Sequence, residues 1–175
     1  MQKSRLMPRI LVLVAGAVLS LAALAAPTVE MQTSMGKIVI DLDSEKAPRS
    51  VQNFLQYVNE GFYNGTVFHR VILDFMIQGG GFTVDMEQKP APRKVENEAR
   101  NGLKNDRGTL AMARTADPNS ASSQFFINHR DNATLNYPSP AAACYAVFGN
   151  GTQSMDVADR IARVATGNRS MHQNV

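Results

Sequence analysis

An arginine and a glutamine stand among large apolar residues in the segment Phe68–Gly81. The segment reads FHRVILDFMIQGGG, so Arg70 and Gln78 fall in two short runs of alternating apolar and polar residues. Such alternation predicts two strands joined by a tight turn at Leu73 and Asp74. A guanidinium and a carboxamide are costly to bury without hydrogen-bond partners. They therefore indicate a site that hydrogen-bonds a bound molecule, although an arginine whose alkyl chain merely covers a core strand gives the same pattern.

The remaining polar residues do not form the usual groups of hydrolytic or metal chemistry. The serines at positions 120, 122 and 123 lie in a loop of small residues, without the Gly-x-Ser-x-Gly turn of many hydrolases. His69 faces away from Arg70 on the same predicted strand, and His129 and His172 are isolated. Three histidines and one cysteine show no metal-ligand spacing. We therefore expect neither a metal nor a cofactor.

Three consecutive glycines, Gly79 to Gly81, follow the second strand of the segment. A phosphate-binding loop would require a helix directly after them. Residues 82–94 instead contain Pro90 and Pro92 and no helical pattern. We interpret the glycines as a place where the backbone passes close to another part of the chain.

Two pairs of motifs resemble the signature of a known family. Phe-His-Arg-Val-Ile at 68–72 and Phe-Met-Ile-Gln-Gly-Gly at 75–80 form the first pair, and residues 108–114 and 123–127 form the second. With these motifs in this order, the chain resembles the cyclophilins, the prolyl cis/trans isomerases, from roughly Val29 to Met155 and beyond. The resemblance implies an isomerase of X-Pro peptide bonds that needs no cofactor and acts on extended or unfolded proline-containing polypeptides.

The resemblance also implies roles for individual residues. Arg70 matches the family's catalytic arginine, and Gln78 matches its partner, which binds the substrate backbone and steadies the guanidinium. The positions that match the walls of the proline pocket are Phe75, Met76, Phe126 and Leu135. The positions that match further contacts to the peptide are Ala113, Arg114, Gln124 and Tyr145. For the apolar residues, the residue types alone would favour ordinary core packing.

Two positions at or next to the implied site depart from the common family pattern. Thr134 occupies the position before the pocket leucine where many members carry a large aromatic residue, and the chain has no tryptophan. We therefore expect weak binding of cyclosporin-like ligands. Tyr145 stands where a histidine is often found, as in bacterial periplasmic members, and its hydroxyl can still donate a hydrogen bond to a substrate.

The elements around these residues predict a mainly β fold. Apolar alternation and turn residues predict strands at 28–34, 37–42, 68–72, 75–79, 109–113, 124–128 and 145–148. Many short strands with two helices describe a closed antiparallel barrel with a helix capping each end, and the cyclophilin resemblance implies eight strands. The family's last strand follows a Gln-Asn-Val-like connector, so we expect it to be missing here and the first strand to have an exposed edge.

Apolar residues at helical spacing define the two helices. Val51, Phe54, Leu55 and Val58 form one buried stripe, in a helix that begins at Pro48 or Ser50 and ends at Gly61. The last helix starts near Ser154. Its inward residues are expected to be Met155, Ala158, Ile161 and Val164.

The first 25 residues predict an export signal. Lys3, Arg5 and Arg9 precede an apolar run from Ile10 to Leu24, and small residues surround the expected cleavage site after Ala25. A retained membrane anchor is the alternative. We therefore expect a signal peptide at 1–25, a single isomerase domain at 26–175, and a periplasmic location, with secretion as the alternative.

After cleavage of the signal segment, the remaining chain is not strongly basic. The whole chain has 18 basic and 15 acidic residues, and the signal segment holds three basic residues and no acidic one. The remainder is therefore balanced, which removes the main argument for nucleic-acid binding. Cys144 is the single cysteine, so an internal disulfide is impossible. We expect a monomer that does not associate with membrane after cleavage.

Two functions of different classes remain open at this point. The first is a peptidyl-prolyl isomerase that assists the folding of exported proteins. The second is a proline-peptide binding module or chaperone with little turnover. Arg70 and Gln78 favour the enzyme, because simple binding needs only an apolar pocket, whereas Thr134 and the missing last strand favour the binding module.

Overall fold

The computed structural model describes residues 26–139 and 144–168. In these ranges the chain forms seven β-strands and two α-helices, with short 3₁₀ turns at Ala133–Leu135 and Thr152–Ser154. The strands are β1 (Thr28–Thr33), β2 (Gly36–Leu42), β3 (Arg70–Ile72), β4 (Met76–Gly79), β5 (Thr109–Met112), β6 (Phe125–Asn128) and β7 (Val147–Asn150). The helices are α1 (Pro48–Asn59) and α2 (Met155–Ala162). The expected signal peptide lies outside the described residues.

All seven strands belong to one antiparallel sheet with the order β1-β2-β7-β5-β6-β4-β3. The β1–β2 hairpin turns through Gly36, whose φ of +130° disfavours any side chain. The β3–β4 hairpin turns at Asp74, whose φ is +55°. The structure confirms both hairpins that the alternation and the turn residues predict.

The prediction of a closed eight-stranded barrel is wrong, because the described residues form an open sheet of seven strands. β1 pairs only with β2 and β3 only with β4, so these two strands are the sheet edges. A cavity of about 420 Å³ lies between the edges, bordered by Met31, Val71 and Ile161 among others. Closure requires a hydrogen-bonded neighbour on both sides of every strand, and alternation does not report a strand's neighbours. The expectation of a missing last strand concerns the chain end, and residues 169–175 lie outside the described ranges.

The main core lies on one face of the sheet, and both helices cover it. Ile38, Ile40 and Leu42 alternate along β2 and are each 1% exposed. They pack in one cluster with Phe54 of α1 and Ile161 of α2. Burial of this apolar surface is the main force that holds the helices against the sheet. In the described part of the chain, no helix has the length and apolar content needed to cross a membrane.

The helical stripes agree with the sequence pattern except at one residue. In α1, Val51 and Phe54 are buried, and Leu55 and Val58 pack against the core from partly exposed positions. Val164 does not face inward as predicted, since it lies beyond the end of α2 and is 36% exposed.

A distant carboxylate stabilises the start of α1. The backbone N–H groups of Arg49 and Ser50 donate to Glu98 at 3.1 and 2.8 Å, and the Ser50 hydroxyl donates to it at 2.7 Å. A negative charge is favourable at a helix N-terminus. Glu98 belongs to the long loop between β4 and β5, which the apolar side chain of Val95 also anchors in the core. The loop is therefore fixed to α1 although it has no regular element of its own.

An ion pair attaches α2 to the segment just before β5, and a hydrogen bond links that segment to His129, which follows β6. Arg107 Nη2 donates to both carboxylate oxygens of Asp159, at 2.8 and 2.9 Å, and Arg107 Nη1 donates to the carbonyl oxygen of His129 at 2.6 Å. His129 Nε2 lies 3.0 Å from Asp159 Oδ1. Partial burial raises the pKa of Asp159, but the hydrogen bond and charge of Arg107, with those of His129, outweigh it and lower the pKa below its ordinary value.

The lowered pKa of Asp159 predicts a pH-dependent contribution to stability. A carboxyl group with a lowered folded-state pKa stabilises the fold above its unfolded pKa and loses this effect as pH falls through the folded pKa. Asp159→Asn should therefore reduce the free energy of unfolding by about 1 kcal/mol near neutral pH. The difference from wild type should shrink below about pH 4, close to the ordinary carboxyl pKa.

Urea unfolding at about pH 6 and at about pH 3 measures this difference. Glu30→Gln is the matched control, because Glu30 is exposed and pairs with Lys37 across the β1–β2 hairpin, away from any helix N-terminus. We expect that control to change stability little at either pH. A difference between Asp159→Asn and wild type that is the same at both pH values would contradict the ion-pair role.

Candidate active site

The antiparallel register places the predicted polar residues side by side. Arg70 of β3 is directly opposite Gln78 of β4, and Gln78 is opposite Phe126 of β6. Phe126 is in turn opposite Ala111 of β5. Successive side chains alternate between the faces of a sheet, and Ile77, next to Gln78, packs in the main core. The row that starts at Arg70 therefore lies on the face opposite the main core.

A cavity of about 150 Å³ opens on this face. Nine of the ten predicted site residues line it: Arg70, Phe75, Met76, Gln78, Ala113, Arg114, Phe126, Leu135 and Tyr145. The tenth, Gln124, is hydrogen-bonded to Gln78. A cavity of this volume is large enough for a benzene-sized ring. The structure thus brings the predicted residues together around a space that can hold one small apolar ring.

The apolar walls of the cavity come from strands and from loops. Met76 of β4 and Phe126 of β6 are 2% and 4% exposed and form the base. Phe75 precedes β4, and Leu135 ends a 3₁₀ turn. The Tyr145 ring meets the Phe126 ring edge-on, with centroids 5.5 Å apart. Three of the five wall residues therefore lie outside the regular strands.

Arg70 projects an exposed guanidinium over the edge of the cavity. Its Nη1 lies 3.9 Å from the Met76 sulfur, and its Cζ lies 6.0 Å from the centroid of the Phe75 ring. Thioether sulfur and aromatic faces are weak acceptors. These contacts orient the guanidinium, and a stronger acceptor that enters the cavity would compete with them favourably.

The Gln78 side chain contacts Gln124, which lies against the glycine segment. Gln78 Nε2 donates to Gln124 Oε1 at 3.0 Å. A Cβ on Gly81 would lie 2.6 to 2.7 Å from the Gln124 side chain, and one on Gly80 would lie 2.8 to 2.9 Å from the Phe125 ring. The structure confirms that the glycines allow close approach, and it identifies Gln124 as one of the groups approached.

Arg114 and Tyr145 form one rim of the cavity. Arg114 Nε donates to the carbonyl oxygen of Cys144 at 3.0 Å, and the Arg114 Cζ lies 4.9 Å from the centroid of the Tyr145 ring. A guanidinium over an aromatic face is an attractive contact. The rim therefore carries positive charge, as does the edge formed by Arg70, and both favour electron-rich groups such as peptide carbonyls.

The two described histidines lie outside the cavity. The ring of His69 is buried and lies against Phe82, with centroids 4.5 Å apart. His129 contacts Asp159, and His172 lies outside the described residues. Neither described histidine lines the cavity. Across residues 26–139 and 144–168, no three His, Cys, Asp or Glu side chains could hold a metal ion together.

A larger cavity, of about 820 Å³, lies elsewhere on the protein. It is bordered by the end of β2, the start of β5 and the segment 102–106, with Asp41, Asp43 and Lys104 among its residues. It contains none of the predicted site residues. We place the candidate active site at the smaller cavity, because nine of the ten predicted site residues line it.

Sequence reasoning missed three asparagines that lie behind the smaller cavity. Asn105, Asn128 and Asn132 are each at most 3% exposed. Asparagine is common in turns, and a buried asparagine looks the same in the sequence as one in an exposed turn. No sequence signal could therefore have identified these residues without knowledge of their neighbours.

Comparison with known proteins links this geometry to one enzyme family. Residues 28–175 match the family model described as cyclophilin type peptidyl-prolyl cis-trans isomerase/CLD. The chain is similar to a peptidyl-prolyl cis-trans isomerase of Acinetobacter baylyi, with 54% identity over 170 residues that cover 97% of this chain and 90% of the relative. It is 57% identical over 150 residues to the peptidyl-prolyl cis-trans isomerase cyp18 of Streptomyces antibioticus, covering 85% and 90% of the two chains.

A solved structure supports the same relation at the level of the fold. It is the crystal structure of a cyclophilin type peptidyl-prolyl cis-trans isomerase of Cryptosporidium parvum in the presence of the dipeptide Ala-Pro. The TM-score is 0.68 at 27% sequence identity, and the match covers 85% of this chain and 92% of the other.

The contact between Gly81 and Gln124 predicts the effect of adding one methyl group. Gly81→Ala should push the Gln124 side chain away and break its hydrogen bond with Gln78. We expect the side-chain amide NMR signals of both glutamines to shift, and the free energy of unfolding to fall by about 1 kcal/mol. Gly167→Ala is the matched control, since a Cβ there meets nothing within 4 Å. Unchanged glutamine signals in Gly81→Ala would show that the close approach does not position Gln78.

Proposed function

This chain belongs to the cyclophilin-type peptidyl-prolyl cis-trans isomerases, and from that premise we propose that Arg70 and the adjoining cavity carry out the isomerisation. The observation that carries the proposal is that the exposed Arg70 borders a cavity of about 150 Å³ together with the apolar side chains of Phe75, Met76, Phe126 and Leu135. Within this proposal the cavity holds the proline ring, and Arg70 acts on the prolyl nitrogen.

The energy that such a site must supply is modest. Rotation about the peptide bond has a barrier of about 18–20 kcal/mol, because the C–N bond has partial double-bond character. Uncatalysed X-Pro exchange takes about 10–100 s. An enzyme that turns over about 10² to 10³ times per second must therefore lower the barrier by roughly 4–7 kcal/mol. Positioning and electrostatics can supply this amount without a nucleophile or a metal.

The apolar walls account for the first part of the mechanism. Phe75, Met76, Phe126 and Leu135 hold the proline ring while the acyl part of the X-Pro bond rotates. Burial of the ring contributes binding energy in both planar states and in the twisted state. It therefore fixes the substrate but cannot by itself favour the transition state.

Arg70 accounts for the second part. As the amide twists, conjugation is lost and the nitrogen lone pair localises, so the prolyl nitrogen becomes a better hydrogen-bond acceptor. A guanidinium positioned at that nitrogen binds the twisted amide more strongly than either planar form, which lowers the barrier. Gln78 binds the substrate backbone and steadies the guanidinium in this proposal.

Extended proline-containing polypeptides are the proposed substrates. Ala113, Arg114, Gln124 and Tyr145 border the cavity or adjoin it, where they can contact residues on either side of the proline. In this proposal, the backbone at Arg114 pairs with an extended peptide. The Cryptosporidium parvum relative was crystallised in the presence of Ala-Pro, which supports a proline dipeptide as the minimal substrate.

The proposed site of action is the periplasm, during the folding of exported proteins. The support is the sequence of residues 1–25, in which basic residues precede an apolar run and small residues surround the predicted cleavage site. Cleavage after Ala25 would release the domain 26–175.

Replacing Arg70 tests the catalytic proposal. Arg70→Ala should slow the exchange of a short Ala-Pro peptide by at least about tenfold, equivalent to about 1.4 kcal/mol of transition-state stabilisation. Exchange spectroscopy by NMR measures the rate directly. Arg49→Ala is the matched control, because Arg49 is an exposed arginine on α1 that pairs with Glu96 away from the cavity. We expect it to retain the wild-type rate.

Two outcomes would contradict the catalytic proposal. If folded wild-type protein binds the peptide without accelerating exchange, a binding module with little turnover replaces the enzyme for this chain. If wild type is active and Arg70→Ala retains its full rate, the arginine mechanism is wrong while the activity stands.

Expression of the full chain in a Gram-negative bacterium tests the export proposal. We expect periplasmic protein whose N-terminal residue is Ala26, as determined by intact mass. Leu13→Arg interrupts the apolar run and should leave uncleaved protein in the cytoplasm. Full-length protein in the cytoplasm for both versions would contradict the signal-peptide prediction.

A further inference from the structure

Three buried asparagines form a continuous chain of amides behind the cavity. Asn105 and Asn128 are 0% exposed and Asn132 is 3% exposed. Asn132 Nδ2 donates to Asn128 Oδ1 at 2.7 Å, and Asn128 Nδ2 donates to Asn105 Oδ1 at 3.2 Å. At each step an amide N–H donates to an amide oxygen, so every carboxamide is oriented by the next one along.

The two ends of this asparagine chain reach the walls of the cavity. At one end, Asn132 Nδ2 also donates to the carbonyl oxygen of Phe75 at 2.9 Å. At the other end, Asn105 Nδ2 lies 3.3 Å from each of the carbonyl oxygens of Leu135 and Tyr145 and 3.2 Å from Asn136 Oδ1, so its two hydrogens are shared among these three acceptors. None of the three asparagines lines the cavity. They therefore hold three wall residues from behind, by their backbone, without touching anything that the cavity contains.

These three wall residues lie outside the strands, and Phe75 is otherwise held by the His129 N–H, which donates to its carbonyl oxygen at 2.9 Å. Phe75 lies in the β3–β4 turn, Leu135 in a 3₁₀ turn and Tyr145 in the segment before β7. The Tyr145 N–H donates to the Leu135 carbonyl oxygen at 3.0 Å, so the backbones of these two wall residues are linked directly. The asparagine chain is a direct hydrogen-bonded connection between this pair and Phe75.

Burial of the three asparagine amides is costly unless their hydrogen bonds are made. An unpaired buried amide destabilises a protein by roughly 1–3 kcal/mol, and apolar residues pack the adjoining space, where Met76, Ala111 and Phe126 form a cluster. The hydrogens of the central amide are used: Asn128 Nδ2 donates also to Thr109 Oγ1 at 2.9 Å. A buried network whose hydrogen bonds are all made holds its side chains in one arrangement. Apolar contacts fix the positions of side chains less strictly.

We propose that Asn105, Asn128 and Asn132 are positioning residues that set the separation of Phe75 from Leu135 and Tyr145, and with it the width of the proline cavity. This inference rests on the function proposed above, because it concerns the same cavity. The walls bind the ring equally in planar and twisted states, so loss of the network raises KM. Arg70 acts mainly in the twisted state, so its loss lowers kcat.

Two substitutions test the positioning role. Asn132→Ala removes its side-chain hydrogen bond to the Phe75 carbonyl oxygen, and Asn128→Leu breaks the centre of the asparagine chain while keeping the number of side-chain heavy atoms. For an Ala-Pro peptide we expect each variant to raise KM at least about fivefold and to change kcat less than about twofold. Ser154→Ala is the matched control, because it removes a buried hydrogen bond, donated by the Val39 N–H at 2.9 Å, far from the cavity. It should leave KM unchanged.

A second readout addresses specificity, which a general loss of stability would not alter. A peptide with pipecolic acid in place of proline carries a six-membered ring. Wild type should discriminate against the larger ring, and both asparagine variants should discriminate less, because the separation of the walls is no longer fixed.

The possible results separate this inference from the proposed function. If Arg70→Ala is slow but folded asparagine variants keep the wild-type KM and ring preference, the positioning role is wrong and the proposed function stands. An equal rise of KM in Ser154→Ala would also overturn the role. If wild type itself is inactive, the proposed function fails first.

A measurement on wild type covers the case in which the variants do not fold. On saturation with the Ala-Pro peptide, the side-chain amide NMR signals of the three asparagines should shift or become better protected from hydrogen exchange, although none of them contacts the peptide. Signals that do not respond to the peptide would overturn the inference.

Discussion

The pairing register of β4 with β6 is the constraint on which the rest of the site depends. Each strand has only four residues, and Gln78 opposes Phe126 while Ile77 opposes Ile127. A slip of one residue would exchange the faces, so that Gln78 would enter the core and an isoleucine would face the cavity. Ile77 and Ile127 are 1% and 2% exposed, and their burial on the core face stabilises the register that the opposite face requires.

The site combines buried apolar residues at the bottom of the cavity with a charged residue, Arg70, that stays in contact with water. Burial of an arginine in the free protein would cost several kcal/mol, and Arg70 avoids this cost because it is exposed. Met76 and Phe126, which border the same cavity, are buried, so under the proposed function a substrate would bring its own apolar surface and exclude water locally. The same cation then interacts more strongly, since electrostatic interactions strengthen as the local dielectric falls. Substrate binding itself would complete the electrostatic environment.

Loops supply much of the site, and polar contacts as well as apolar packing hold them. Glu98 binds the start of α1 at one point of the long β4–β5 loop. Asn105, at the end of that loop, binds the backbone of two wall residues. Hydrogen bonds have directional preferences and apolar contacts do not. This difference explains how a few buried amides can orient the irregular segments around the cavity, in addition to the apolar contacts that those segments make.

Local patterns in the sequence were sufficient for the hairpins, the α1 stripe and the grouping of Arg70 with Gln78. Each of these depends on residues a few positions apart, and strand and helix periods are visible over such distances. The family motifs identified the other residues around the cavity. The open seven-stranded sheet, the contact of Gln78 with Gln124 and the asparagine chain were decided only by the tertiary structure. Their partners lie far apart in sequence, 46 residues in the case of the two glutamines, and no local period records which distant segments meet.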